Sequence, residues 1–298
     1  MSTLRELKTR IGSVSSSEKI TGAMKMISSA KVRKFEQALK RLVPFRSRIQ
    51  SIMGHLLDAD AVFSSPLIEP HTEVKKIGIL VFGSDDGLCG AYNMNIFKHL
   101  LVTVNTLKSK YAGQQLEFEL YPIGKKMRRA VEKLASKDIL IAPQTSGIDS
   151  KMEGQIVNDF TKNLETKFST GELDELHVVY MHFLSLSRQR VSDTQLFPIL
   201  AEMLTDSADS KGGNKPYLFE PDANRIFNEI LPMFVMSTMQ EITIENRASE
   251  QAARIMAMQS ANDNAKKLLE SLQLEYNKLR QQSITTELLD ILGGQVEQ

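Results

Sequence analysis

The 298-residue chain is 42% hydrophobic and 24% charged, with a formal net charge of +1, which excludes a disordered chain and leaves room for one large domain or two modest ones. No run approaches the roughly 18 apolar residues of a membrane span, and a single cysteine, Cys89, excludes an internal disulfide and makes a poor metal site. The near-neutral total hides an asymmetry: residues 1–58 hold twelve Lys/Arg against four Asp/Glu and residues 222–298 seven against eleven, so the two ends attract each other if they lie side by side.

The opening MSTLRELKTR enters an amphipathic pattern at once, without the apolar block of a secretory signal, and cytosolic residence is expected. Residues 3–58 predict a long helix. Leu4, Leu7, Ile11 and Val14 open a three-four alternation, and Phe35, Ala38, Leu42, Phe45, Ile49, Ile52 and Leu56 close it. Between them the same register meets Glu18, Thr21, Lys25 and Ser28 while the apolar residues drift to Ile20, Met24 and Ile27, which reads as a seam that loosens or shifts. Pro44 is expected to kink this helix, and Gly12, Gly22 and Gly54 each cost it roughly 1 kcal/mol relative to alanine.

From Asp60 to Thr72 the chain, with Pro66 and Pro70, reads as a linker. Short buried strands follow at Lys76–Phe82, Leu116–Tyr121, Asp138–Ala142 and Leu176–Phe183, separated by helical patterns near 94–110, 124–136 and 150–168, the signature of βαβ units in a mostly parallel sheet. An alternating stretch from Arg190 to Phe197 fits a closing edge strand. A polar loop with Gly212, Gly213 and Pro216 then leads to a C-terminal helix for which Asp222 is the expected N-cap. Met233 to Leu292 contains neither proline nor glycine, and one helix of that length would run roughly 90 Å. Within it Ile255, Met258, Asn262, Ala265, Leu269, Leu272, Tyr276 and Leu279 alternate three and four apart, the seam of a helix with another helix lying along it.

The fold class that follows is α/β: a long antiparallel coiled coil of N- and C-terminal helices with an inserted Rossmann-like, mostly parallel α/β domain. Residues 1–58 and 222–298 form the coiled-coil shaft, 73–200 the globular domain, and 59–72 and 201–221 the linkers. Exposed ion pairs add only tenths of a kcal/mol each, so apolar burial must hold the two ends together.

The stretch Gly83–Gly90, GSDDGLCG, sits between a strand and a helix, where phosphates bind in nucleotide sites. Its spacing matches neither GxGxxG nor GxxxxGK[ST], which favours a tight turn; Asp85 and Asp86 read as caps or solvated charges before they read as metal ligands. His55, His71, His99, His177 and His182 are scattered, and no nucleophile–base pair stands out. The basic run from Lys19 to Arg48 lacks interleaved aromatics for stacking on bases, so a solvated face or an acidic protein partner fits it better than nucleic acid. The methionines, Met24, Met26, Met233, Met236, Met239, Met256 and Met258, suit adaptable packing. Ala248, Ala252, Ala253, Ala257, Ala261 and Ala265 permit close helix approach. Near the end, ITTELLDIL keeps apolar residues on the helix beyond its partner's reach, a surface that needs cover from another protein.

Three stretches in order carry a family resemblance: IGSVSSSEKITGAMKMISSAK at Ile11–Lys31, SDDGLCGAYN at Ser84–Asn93, and Ala248–Gly294 with its LQLEYNKLRQQSIT and ITTELLDILGG. They resemble the gamma subunit of F-type ATP synthase over nearly the whole chain. The resemblance implies a non-catalytic central rotor shaft with no cofactor, no catalytic residue and no metal. It would couple transmembrane ion flow to ATP synthesis by rotating within the ring of alpha and beta subunits. It further implies contact with the epsilon subunit and the membrane ring of c subunits, and a peripheral place on the cytoplasmic face of the cell (inner) membrane. Carried over by position, Met24 and Lys25 match where that family's shaft passes an acidic beta-subunit loop. Arg254 and Gln281 match contacts with a second beta loop, and Thr285 and Glu287 lie in the same terminal motif. Gly22 stands where many members have lysine, Asp86 where many have arginine, and Gln295 and Glu297 where a small and a small or basic residue are usual. The alternative weighed on residues alone is an α/β nucleotide-binding enzyme with a coiled-coil arm, its site at Gly83–Gly90.

Overall fold

The computed structural model describes residues 3–57, 63–143, 148–204 and 219–294. The chain divides into two compact units, Met1–Ser29 with Arg254–Gln298, and Ala30–Ala253. The loop containing Gly212, Gly213 and Pro216 lies outside the described residues, as do Gln295 and Glu297.

In the larger unit, β1 (Lys76–Val81), β2 (Glu117–Pro122), β3 (Ile139–Ile141), β4 (Glu175–Phe183) and β5 (Gln189–Phe197) form one sheet in the order β3-β2-β1-β4-β5. Every pairing is parallel except β4 with β5; β5 is the edge strand anticipated from its alternation, and the structure makes it antiparallel. After Lys76 the run IGILV is apolar and buried because the central strand is covered on both faces. One face meets α2 (Tyr92–Lys110) and α3 (Lys125–Val131), through Ile96, Leu100, Val104, Met127 and Val131. The other meets α4 (Gln155–Ser169) through Val157, Phe160, Leu164 and Phe168. The helix expected from residue 150 begins five residues later, since Gly154 adopts φ 59°, a conformation an α-helix cannot continue through.

The same second layer takes in parts of both long helices. Ile49, Met53 and Leu56 of α1 (Leu4–Leu57) and Phe227, Leu231, Phe234, Val235, Met239 and Ile242 of α6 (Ala223–Gly294) join α4 beneath the sheet. Here they act as covering helices. They run antiparallel: Arg247 stacks on Phe35, and further along α1 Arg46 pairs with Glu241, earlier on α6. A four-residue helix, α5 (Ala201–Leu204), is tied to α1 by Gln50, whose side-chain amide donates to the Met203 carbonyl at 2.8 Å.

Both long helices are capped as their first residues dictate. Thr3 and Glu6 exchange side-chain and backbone bonds at 2.9 and 3.2 Å in a capping box. Asp222 accepts from the Arg225 amide at 2.9 Å, the N-cap anticipated there. Helix α6 starts ten residues before Met233 and continues through Pro232, as α1 continues through Pro44.

In the smaller unit, the α6 seam is the one read from spacing. Ile255, Met258, Asn262 and Leu272 are buried and Ala265, Leu269, Tyr276 and Leu279 half-buried, while most residues between them are exposed. The α1 seam differs from expectation in two places. Its register does not drift: Glu18, Thr21, Lys25 and Ser28 stay on the covered face, Ser28 2% exposed, and Ile20 and Ile27 face outward. Farther on, Phe45 and Ile52 are 48% and 46% exposed, and Arg46 and Met53 take their places. Both alternations share Phe35, Leu42, Ile49 and Leu56. Spacing alone therefore admits either phase, and the more apolar one is not the one that packs. The covered positions 4, 7, 11, 14, 18, 21, 25, 28, 32, 35, 39, 42, 46, 49, 53 and 56 form one unbroken heptad repeat.

Candidate functional site

The turn after β1 is built to occupy its own hydrogen-bonding groups. The Ser84 amide donates to Asn93 Oδ1 at 3.0 Å, Asn93 Nδ2 returns a bond to Ser84 Oγ at 2.7 Å, and Ser84 Oγ donates to the Asp86 carbonyl at 2.8 Å. Asp85 caps α3, accepting from the Lys125 amide at 2.9 Å and from Ser150 Oγ at 2.7 Å. A carboxylate thus already sits at the start of α3, where a phosphate would bind. Gly83 lies so close to Met127 that an added Cβ would come within 2.4 Å of it. Leu88, 60% exposed, holds a left-handed φ of 63°. These contacts make the stretch a packed structural turn.

Four histidines are each paired with a carboxylate. His71 meets Asp174 at 2.9 Å, His99 meets Asp193 at 3.0 Å, His177 meets Glu175 at 3.1 Å and His182 meets Glu245 at 2.7 Å. Burial alone would raise the Glu175 carboxyl, but bonds from His177, Tyr111 and Lys110 outweigh it and hold the group at about 2. Among the described residues no group of three or more His, Cys, Asp or Glu is placed to hold a metal ion. On α1 the hydroxyls of Ser16, Ser17, Thr21 and Ser29 return to carbonyls of the preceding turn, where they serve the backbone.

The six expected contact residues all fall in the smaller unit. Met24 and Lys25 are half-buried and adjacent on α1; Arg254 is buried on α6. Gln281 and Thr285 are exposed and joined, Thr285 Oγ1 donating to the Gln281 carbonyl at 2.9 Å. Glu287, also exposed, lies two residues beyond Thr285 and so points about 200° around the helix from it. Spacing puts Asn262 on the seam but does not give its partners. Asn262, at the seam's centre, donates to the Glu18 carbonyl at 2.7 Å and to Thr21 Oγ1 at 3.2 Å, beside Gly22. Large apolar side chains of this unit face outward: Ile20, Met26 and Ile27 on α1, Met256, Leu268 and Leu274 on α6, and, in the apolar stretch anticipated near the end of α6, Ile284, Leu288, Leu289 and Ile291. An exposed apolar surface of this kind marks contact with other chains.

The sequence profile of the ATP synthase family, described as "ATP synthase", matches residues 3–296. An ATP synthase gamma chain of Bacteroides thetaiotaomicron is 36% identical over all of both chains. One of Parabacteroides distasonis is 37% identical over 99% of this chain and 98% of its own. Among solved structures, a chain in the Euglena gracilis mitochondrial ATP synthase assembly of OSCP, F1 and c-ring shares the fold. It has a TM-score of 0.60 and 18% identity, and the match covers 98% of this chain and 93% of that one.

Proposed function

Because this chain belongs to the family of ATP synthase gamma chains, we propose that it is the non-catalytic central rotor shaft of an F-type ATP synthase. The paired segments of α1 and α6 turn inside the ring of alpha and beta subunits. The α/β domain meets the epsilon subunit and the membrane ring of c subunits. The observation that carries this reading is the conjunction, in one helix pair, of an unbroken heptad seam with large apolar side chains on its outer faces. The seam supplies stiffness, and the outer faces supply a surface for other chains to grip.

Rotation can change the ring only if each orientation of the shaft favours a different conformation of its neighbours. The two helices suit that requirement, since α1 is strongly basic and the C-terminal segment acidic. In this reading Met24 and Lys25 meet an acidic beta-subunit loop, Arg254 and Gln281 meet a second one, and Thr285 and Glu287, in the same terminal motif, are further partner contacts. The chain's place is peripheral, on the cytoplasmic face of the cell membrane. No helix among the described residues is long and apolar enough to cross a membrane.

The test is purification of a tagged copy from its native membrane. Recovery with nucleotide-binding alpha and beta chains and a c ring is the expected result. Recovery without them, or robust ATP hydrolysis by the isolated chain, would refute the proposal.

A further inference from the structure

At one end of β4, four elements of the larger unit bring charge together in a partly sheltered site. His182 Nδ1 lies 2.7 Å from Glu245 Oε2, with the Glu245 side chain 8% exposed. One turn earlier on α6, Glu241 pairs with Arg46 of α1. Across the sheet, Arg190 of β5 is the registered partner of His182, and the Tyr180 ring stands edge-on to the imidazole at 6.5 Å. Two sheltered carboxylates on consecutive turns of α6 therefore face one Arg46 guanidinium and one titratable imidazole. With the imidazole protonated, each carboxylate has its own countercharge. With it neutral, Glu245 sits beside Glu241 and a like charge is left poorly balanced in a site of low dielectric.

We propose that His182 and Glu245 form a proton-operated latch, which holds α6 tightly on β4 while the imidazole is charged and loosens it when the proton leaves. The inference rests on the packing within residues 30–253 and stands whether or not the rotor reading holds. Two neutral bonds serve the same junction: Asn246 Oδ1 accepts from the Met181 amide at 3.2 Å, and Ser249 Oγ donates to the Met181 carbonyl at 3.0 Å. Deprotonation therefore loosens the junction without releasing it.

The electrostatics agree with the geometry. The Glu245 hydrogen bond lifts the imidazole above its ordinary value, against burial and Arg190. Burial lifts the Glu241 carboxyl, against Arg46. A raised imidazole stabilises the fold fully below its unfolded value, and that contribution is lost as pH climbs through the folded one. The latch therefore works on the alkaline side of the ordinary histidine range.

Hydrogen–deuterium exchange of the full-length chain, corrected for the intrinsic base-catalysed rate, tests this over residues 178–184 and 238–250. Between about pH 6 and about pH 9, corrected exchange there rises about threefold or more, while α4 changes less. His182→Lys, which keeps a permanent cation, exchanges slowly at both pH values, and His182→Gln exchanges fast at both. A wild-type chain with no pH dependence in these segments would overturn the latch. So would a His182→Lys chain that keeps the wild-type dependence.

Discussion

Gly83 has no room for a side chain: its Cβ would stand 2.4 Å from Met127 Cβ and 3.1 Å from Asn93 Oδ1. Gly124, at φ 93°, is confined as well, since a Cβ there would meet the Ser84 carbonyl carbon at 2.9 Å. Substituting Gly83→Ala should destabilise the chain by about 1–3 kcal/mol, through overpacking that neither neighbour can relieve, and urea denaturation measures it. Glu175 makes a prediction in pH. Held at about 2 against an ordinary value of 4.5, it stabilises the fold above the ordinary value, and that contribution disappears as pH falls through the folded one. Stability measured from pH 4.5 down to about 2 should fall more steeply in the wild type than in Glu175→Gln, which has no proton to take up. Equal slopes would mean that Glu175 is not held low by its three donors.

Along α1 the choice between neighbouring residues is a choice of phase. Met53 is fully buried and Ile52 is 46% exposed, although Ile52 fits an equally regular alternation. Met53→Ala should therefore cost about 2–5 kcal/mol, by loss of buried contact and the cavity left behind, while Ile52→Ala stays within about 0.5 kcal/mol. Equilibrium denaturation of the two variants compares them directly; the reverse order would put the seam in the wrong phase. In the smaller unit the seam crosses a polar block of Glu18, Thr21, Lys25 and Ser28, opposite which Asn262 bonds back to α1. Buried amides at such positions specify pairing at some loss of stability. Gly22 stands beside this amide, and a Cβ added there would lie 3.4 Å from Asn262 Nδ2, an ordinary van der Waals contact.

For the whole molecule, the exposed apolar side chains of the smaller unit set an expectation about assembly. Leu274, Leu288 and Leu289 are 72%, 55% and 63% exposed in the single chain, a surface suited to burial among partner subunits. Leu289→Glu should make the isolated chain more soluble and lower its incorporation into the assembled complex several-fold, as native gel quantification would register. Lys25→Glu should leave folding intact while weakening ion pumping driven by ATP hydrolysis, because its proposed neighbour is an acidic loop; undiminished pumping would remove Lys25 from the contact set. The sequence by itself determined the features that are local or periodic. These are the strands with their apolar runs, the α6 seam from Ile255 to Leu279, the Asp222 cap, and a turn at Gly83–Gly90 whose spacing fits no phosphate loop. Each depends on residues within a few positions of one another, so backbone preference and side-chain period suffice. Tertiary structure alone decided which phase of α1 is buried, that polar residues keep their place on its seam, and that Arg46 meets Glu241 and His182 meets Glu245. Those partners lie 195 and 63 residues apart. Their pairing is set by the space left when helices and sheet close on one another, and no pattern within a single element carries that information.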